Sequence, residues 1–102
     1  MSTNPHIITL QEAQEMTYAY QDAIQFQGQT ISSAIDLDAI TQLINQSGCR
    51  GIRIYFGLTS SNKLAPVIVG YDENDLDMAN GIILNRGKYC PINCHPSPLI
   101  QV

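Results

Sequence analysis

The first 49 residues contain neither lysine nor arginine. Glu12, Glu15, Asp22, Asp36 and Asp38 stand there without an opposing charge. All five basic residues, Arg50, Arg53, Lys63, Arg86 and Lys88, lie in the second half beside four acids. The first half is thus −5 and the second +1, which accounts for the net charge of −4. Phosphate-rich partners are held by clustered cations. No such cluster is present, which argues against nucleic acid and anionic membrane surfaces as partners.

Other absences narrow the field further. No run approaches the ~18 apolar residues of a membrane-spanning helix. The opening MSTNPHIITL has no basic region and no apolar stretch, so it is not expected to be a secretory leader. Cysteine occurs three times, an odd number that fits reduced thiols better than a disulfide framework. Together these readings place the chain in the cytoplasm as an expectation. Charged residues make up only 14 %, but apolar residues reach 44 %, the share of an ordinary globular protein. At 102 residues the chain is expected to form a single α+β domain, with 1–7 and 96–102 flexible or extended.

Periodicity divides the chain. In IITLQEAQEMTYAYQDAIQF, residues 8–27, Thr9 and Glu12 form a capping box. Leu10, Ala13, Met16, Thr17, Tyr20, Ala23 and Ile24 then recur at three and four, as one face of a helix. Gly28 is placed to end it. Tyr18, Tyr20 and Phe26 read as packing residues. The segment Thr30 to Ile35 is predicted as a short strand. Asp36 caps a second helix with Leu37, Ile40, Leu43 and Ile44 on its apolar side, and Gly48 stops it. Asp36 and Asp38 are better explained by the helix dipole than as a catalytic carboxylate pair.

The period then falls to two. GIRIYFGL alternates Ile52, Ile54, Phe56 and Leu58 with Arg53, Tyr55 and Gly57. LAPVIVGY alternates Ala65, Val67, Val69 and Tyr71 with Leu64, Pro66, Ile68 and Gly70. These two runs predict an antiparallel hairpin. Putting both first-named sets on one face requires an odd register, with Ile54 opposite Val69 and a tight turn near Ser61–Asn62. Pro66 has no N–H, so its position should face an edge or a bulge. YDENDLD fits no calcium loop in either frame, because Leu76 or Ala79 falls where a ligand is needed. It reads as an acidic solvated loop. Gly81 to Asn85 is predicted as a third short strand, closed by Arg86 and Gly87. The proline-rich tail after Tyr89 is expected to be extended. The architecture that follows is α+β, with two helices packed on one face of a small, mainly antiparallel sheet of three or four strands.

GCRGIRIYFGL, PVIVGYDENDLD and the closing CPINC together resemble an uncharacterised family of bacterial proteins of about 100 residues. Its marks are a G-x-R-I-Y-F-G strand and a C-terminal C-P-x-x-C. The likeness covers about residues 30–94. It implies a small intracellular α+β domain and supplies no catalytic residues.

Chemistry is sparse. Cys90, Cys94 and His95 offer three of the four ligands of a structural zinc, and only one knuckle is present where two are usual. A Cys90–Cys94 disulfide is sterically possible, and a switchable one needs a thiol of lowered pKa, for which Lys88 is the only nearby cation. The favoured reading is a pair of small buried thiols anchoring the tail, with His95 on the surface. No nucleophile elbow, phosphate loop or H-E-x-x-H is present. No cofactor is expected. The leading expectation is a non-catalytic protein-interaction module, a homodimer or bound to another protein. Its contact face would carry Arg53, Tyr55 and Ile68 beside Gly57 and Gly70. A small-ligand site or enzyme on the same Arg53/Tyr55 face is the first alternative. A metal or thiol switch at residues 90–95 is the second.

Overall fold

The computed structural model describes residues 4–101. The fold is α+β. Helices Leu10–Asp22 (α1) and Leu37–Ile44 (α2) accompany strands Ser32–Ala34 (β1), Gly51–Leu58 (β2), Leu64–Tyr71 (β3), Ile83–Leu84 (β4) and Lys88–Cys90 (β5). Two antiparallel sheets result, β1–β5 and β2–β3–β4. No helix among the described residues is long and apolar enough to cross a membrane. The chain divides into two compact units, Met1–Gln29 with Cys94–Val102, and Thr30–Asn93.

In the first unit, Thr9 caps α1 by accepting the N–H of Glu12 at 3.1 Å. The helix stops at Asp22, earlier than Gly28. The amide of Gln27 donates to the carbonyl of Gln21 at the helix end and to that of Ala23, which also accepts the N–H of Phe26. A 3-10 turn, Ile24–Phe26, stacks Phe26 on Tyr20 with ring centroids 5.2 Å apart. Partial burial pushes the Tyr20 phenol above its ordinary pKa.

The tail of this unit is turned and not extended. Ile100 N–H donates to Ser97 O at 3.1 Å, and the Ser97 hydroxyl accepts Leu99 N–H. Gln14 and Tyr18 both donate to Pro98 O, and Gln21 donates to Leu99 O. These three residues follow helical spacing, so one polar stripe of α1 holds the tail backbone. At the other end, Asn4 to Ile7 forms a turn. Residues 1–3 and 102 of the segments expected to be flexible lie outside the described residues.

In the second unit, Asp36 caps α2 through Ala39 N–H at 2.9 Å. Helix α2 packs against β3 and β4, with Leu43 fully buried. Its continuation is fixed by Gln46. That side chain donates to Leu43 O and accepts the N–H of Ile82, each at 2.8 Å. Gly70 of β3 faces the same region, where a Cβ would lie 2.9 Å from Cys49 Sγ. Leu43, Ala65, Ile68, Val69 and Cys90 are the buried apolar residues. Of the two helices expected over the sheet, α2 packs on it, and α1 belongs to the other unit.

The hairpin forms, but in the even register. Ile54 pairs with Ile68, Phe56 with Pro66 and Arg53 with Val69. Ile54 and Val69 therefore point to opposite faces, contrary to the register that the apolar pattern favoured. The turn decides the outcome. Thr59 N–H donates to Lys63 O at 2.9 Å, and Asn62 N–H to Thr59 O at 2.9 Å. That closes a three-residue loop, Ser60 to Asn62, with Asn62 left-handed at φ 62°. Three-residue hairpin loops characteristically end in such a residue, and asparagine tolerates it better than most.

The opposite end of β3 is built alike. Asp72 N–H donates to Leu76 O, Asp75 N–H donates to Asp72 O, and Asp75 has φ 63°. In each turn the first side chain accepts two backbone N–H groups. Thr59 takes those of Ser61 and Lys63, and Asp72 those of Asn74 and Leu76. The acidic loop is thus a hairpin turn.

Pro66 sits in the central strand without costing a ladder bond. Its carbonyl accepts the Asn85 amide at 2.7 Å on the β4 side. Strand alternation puts its missing N–H on that same flank, beyond the Ile68–Leu84 pair where β4 pairing stops. Strand β5 was not expected. It pairs with β1 from Ser32–Cys90 to Ala34–Lys88, so residues 88–90 belong to a sheet.

Candidate functional site

The even register sorts the expected contact face into two. Arg53, Tyr55 and Gly57 share a face with Ala65, Val67, Val69 and Tyr71. Ile68 and Gly70 lie on the opposite face and are buried. The surface of Arg53, Tyr55 and Ile68 does not exist as one patch, because a one-residue shift in pairing moves every β3 side chain to the other face.

What surrounds Arg53 and Tyr55 is a network within the chain. The Tyr71–Asp77 bridge brings Asp77 onto their face. One guanidinium nitrogen of Arg53 donates to Asp77 Oδ1, and the other to Asp75 Oδ1 at 2.6 Å. The Tyr55 hydroxyl donates to Asp77 Oδ2. Arg53 Cζ lies 4.9 Å from the centroid of the Tyr71 ring, a cation–π arrangement. The ring covers Gly51, its cross-strand neighbour, where a Cβ would fall 2.5 Å from the Tyr71 hydroxyl oxygen. Glycine permits this close approach, and any side chain at residue 51 would push the ring aside.

The electrostatics follow from these contacts. The hydrogen bond from Tyr55, then that from Arg53, holds the Asp77 carboxyl below its ordinary pKa. The same bond to Asp77 raises the Tyr55 phenol, and the bonds to Asp77 and Asp75 raise Arg53. The positive charge of Arg53 is matched by two carboxylates, and the Tyr55 hydroxyl is already committed. The cluster ties the 72–77 turn to the sheet. An anion approaching Arg53 would have to displace Asp75 or Asp77. A depression of about 350 Å³ nearby is lined by Arg50, Tyr71, Asp72, Glu73 and Asp75, mostly acidic.

Cys90 is buried in β5, Cys94 is exposed, and the two form a disulfide. They are not the free thiols that the sequence favoured. The physical reason is local: Asn93 N–H donates to Tyr89 O at 2.8 Å, which curls the chain back over these few residues. Cys49 is a free thiol, half-buried, with Sγ 3.4 Å from Gly51 O. No group of three or more His, Cys, Asp or Glu side chains among the described residues is placed to share a metal. His95 is exposed.

The more distinctive surface is the outer edge of β2. Thr59 donates to Lys63, so odd-numbered residues of β2 direct their backbone groups toward β3. Ile52, Ile54, Phe56 and Leu58 then direct their N–H and C=O groups away from the sheet. Among the described residues β2 pairs with β3 alone. The same four side chains are 43, 49, 88 and 65 % exposed. Edge strands are normally protected by charges, proline or bulges. This outward row carries none of them. The sequence displays these four residues, but the expected register assigned them to the core.

No family model matches the chain, and neither a curated protein nor a solved structure is found to be similar to it.

Proposed function

We propose that the protein is a non-catalytic protein-interaction module that docks by strand addition along the outer edge of β2. The observation that supports this is the coincidence of two features on one row. Ile52, Ile54, Phe56 and Leu58 have exposed apolar side chains, and their backbone groups face outward. Strand addition uses backbone groups for affinity and alternate side chains for selectivity. The committed state of Arg53 and Tyr55 favours this reading over a ligand site or enzyme on their face.

The test is a photo-cross-linking residue at Phe56 in the full chain, expressed in cells, with the same residue at exposed Glu73 as control. The expected result is a discrete protein adduct at Phe56 only. Added back, the captured species should slow amide exchange at Ile52, Ile54, Phe56 and Leu58. Equal adducts at both positions, or unchanged exchange, would overturn the reading.

Location is a separate matter. The odd cysteine count favoured the cytoplasm, whereas a closed Cys90–Cys94 pair is the state of an oxidising compartment. Thiol counting on rapidly acid-quenched cells distinguishes the two.

A further inference from the structure

We propose that the occupant of the β2 edge is a second copy of this chain, paired antiparallel through β2 about a two-fold axis at Tyr55. The inference rests on the strand-addition reading and names its partner. It follows from self-complementarity. A two-fold pairing of β2 must join outward-facing residues to outward-facing residues. Centring it on Tyr55 puts Ile52 opposite Leu58 of the second copy, and Ile54 opposite Phe56. All four exposed apolar residues then meet apolar residues across the junction.

The other face is equally compatible. Tyr55 lies beside Tyr55 of the second copy, and Arg53 lies opposite Gly57. Arg53 is the only charged residue of β2, so no like charges are opposed directly. Its charge is in any case already balanced by Asp75 and Asp77 within its own chain. The pairing also closes the open edge and joins the two three-stranded sheets into one. An eight-residue edge strand whose outward row is four exposed apolar residues is an unprotected pairing template, and a second copy of the same row satisfies it.

The test combines hydrodynamics with a register probe. Sedimentation of the wild type should show a concentration-dependent dimer. Ile54→Lys should weaken association by about tenfold or more, because a charged ammonium would replace the apolar side chain opposite Phe56 at both symmetry-related positions. Ile54→Val should retain it. Far-ultraviolet circular dichroism confirms that both variants fold, as expected for a half-exposed position.

For register, Tyr55→Cys in a Cys49→Ser background should form an intermolecular disulfide on mild oxidation. Residues in a non-hydrogen-bonded antiparallel pair have Cα atoms about 4.5 Å apart, within disulfide range. Gly57→Cys in the same background should not cross-link to itself. A strictly monomeric, folded wild type overturns the proposal. If such a monomer still captures another protein at Phe56, the docking edge stands and the second copy is ruled out. A dimer that cross-links through residue 57 and not 55 overturns the register.

Discussion

The side-chain carbonyl of Gln46 accepts the backbone N–H of Ile82 at 2.8 Å, and its amide donates to Leu43 O. One half-buried glutamine thus joins the end of α2 to the segment entering β4. Gln46→Ala would leave the N–H of Ile82 without a partner. A loss of about 1–3 kcal/mol is expected, read as a lower urea midpoint with unchanged slope. An unchanged midpoint would mean that water replaces the side chain at no cost.

Gly51→Ala tests the covering ring. The added methyl would occupy the place of the Tyr71 hydroxyl, so the ring must leave Gly51 and with it Arg53. Overpacking of this kind costs about 1–3 kcal/mol. The near-ultraviolet tyrosine dichroism should change together with the melting temperature. A stability loss without a spectroscopic change would place the strain elsewhere.

The depressed Asp77 pKa gives a signed pH dependence. In the unfolded chain the carboxyl titrates near its ordinary value, about 4. In the fold it holds its charge to lower pH. Its contribution is therefore complete above the unfolded value and is lost as pH falls through the folded one. Asp77→Asn should remove that contribution, so its acid unfolding curve between neutrality and pH ~3 should be flatter than the wild type's. Parallel curves would show that Asp77 does not titrate differently in the fold.

The left-handed residue of the β2–β3 turn should be sensitive to side-chain shape. Asn62→Gly is expected to alter stability by only a few tenths of a kcal/mol. Asn62→Val should cost about 1–2 kcal/mol, since a β-branched residue is disfavoured at φ 62°. Equal melting temperatures for the two variants would contradict the turn geometry.

Purified protein should show one reactive thiol, Cys49, under non-reducing denaturation, and three after reduction. Cys49→Ser should remove the single signal. Three thiols before reduction would show the Cys90–Cys94 pair to be open in solution.

Much of the architecture was legible wherever the signal is local. The caps at Thr9 and Asp36, the hairpin of β2 and β3, and the short strands β1 and β4 follow from adjacent residues. The register did not follow, because both alternating sets of LAPVIVGY are apolar. A central strand is covered on both faces, and its pattern then has no preferred side. The deciding signal was Asn62 in TSSNK, echoed by Asp75 in DENDL, whose left-handed backbone sets an odd loop length. Arg53 and Tyr55 were found, but their carboxylate partners lie across a turn whose shape the sequence pattern does not specify. Strand β5 escaped notice because it is three residues long, abuts Pro91, and pairs with residues far back in the chain.

The matched turns at the two ends of β3 have a kinetic consequence. No pair in the three-stranded sheet is more distant in the chain than Gly51 and Tyr71, whereas Ser32 must find Cys90. Short closures cost little chain entropy and form early, and distant ones wait. During refolding, amides of β3 should gain protection from both neighbours well before those of β1 and β5. The central strand is then the nucleus on which the rest of its unit condenses.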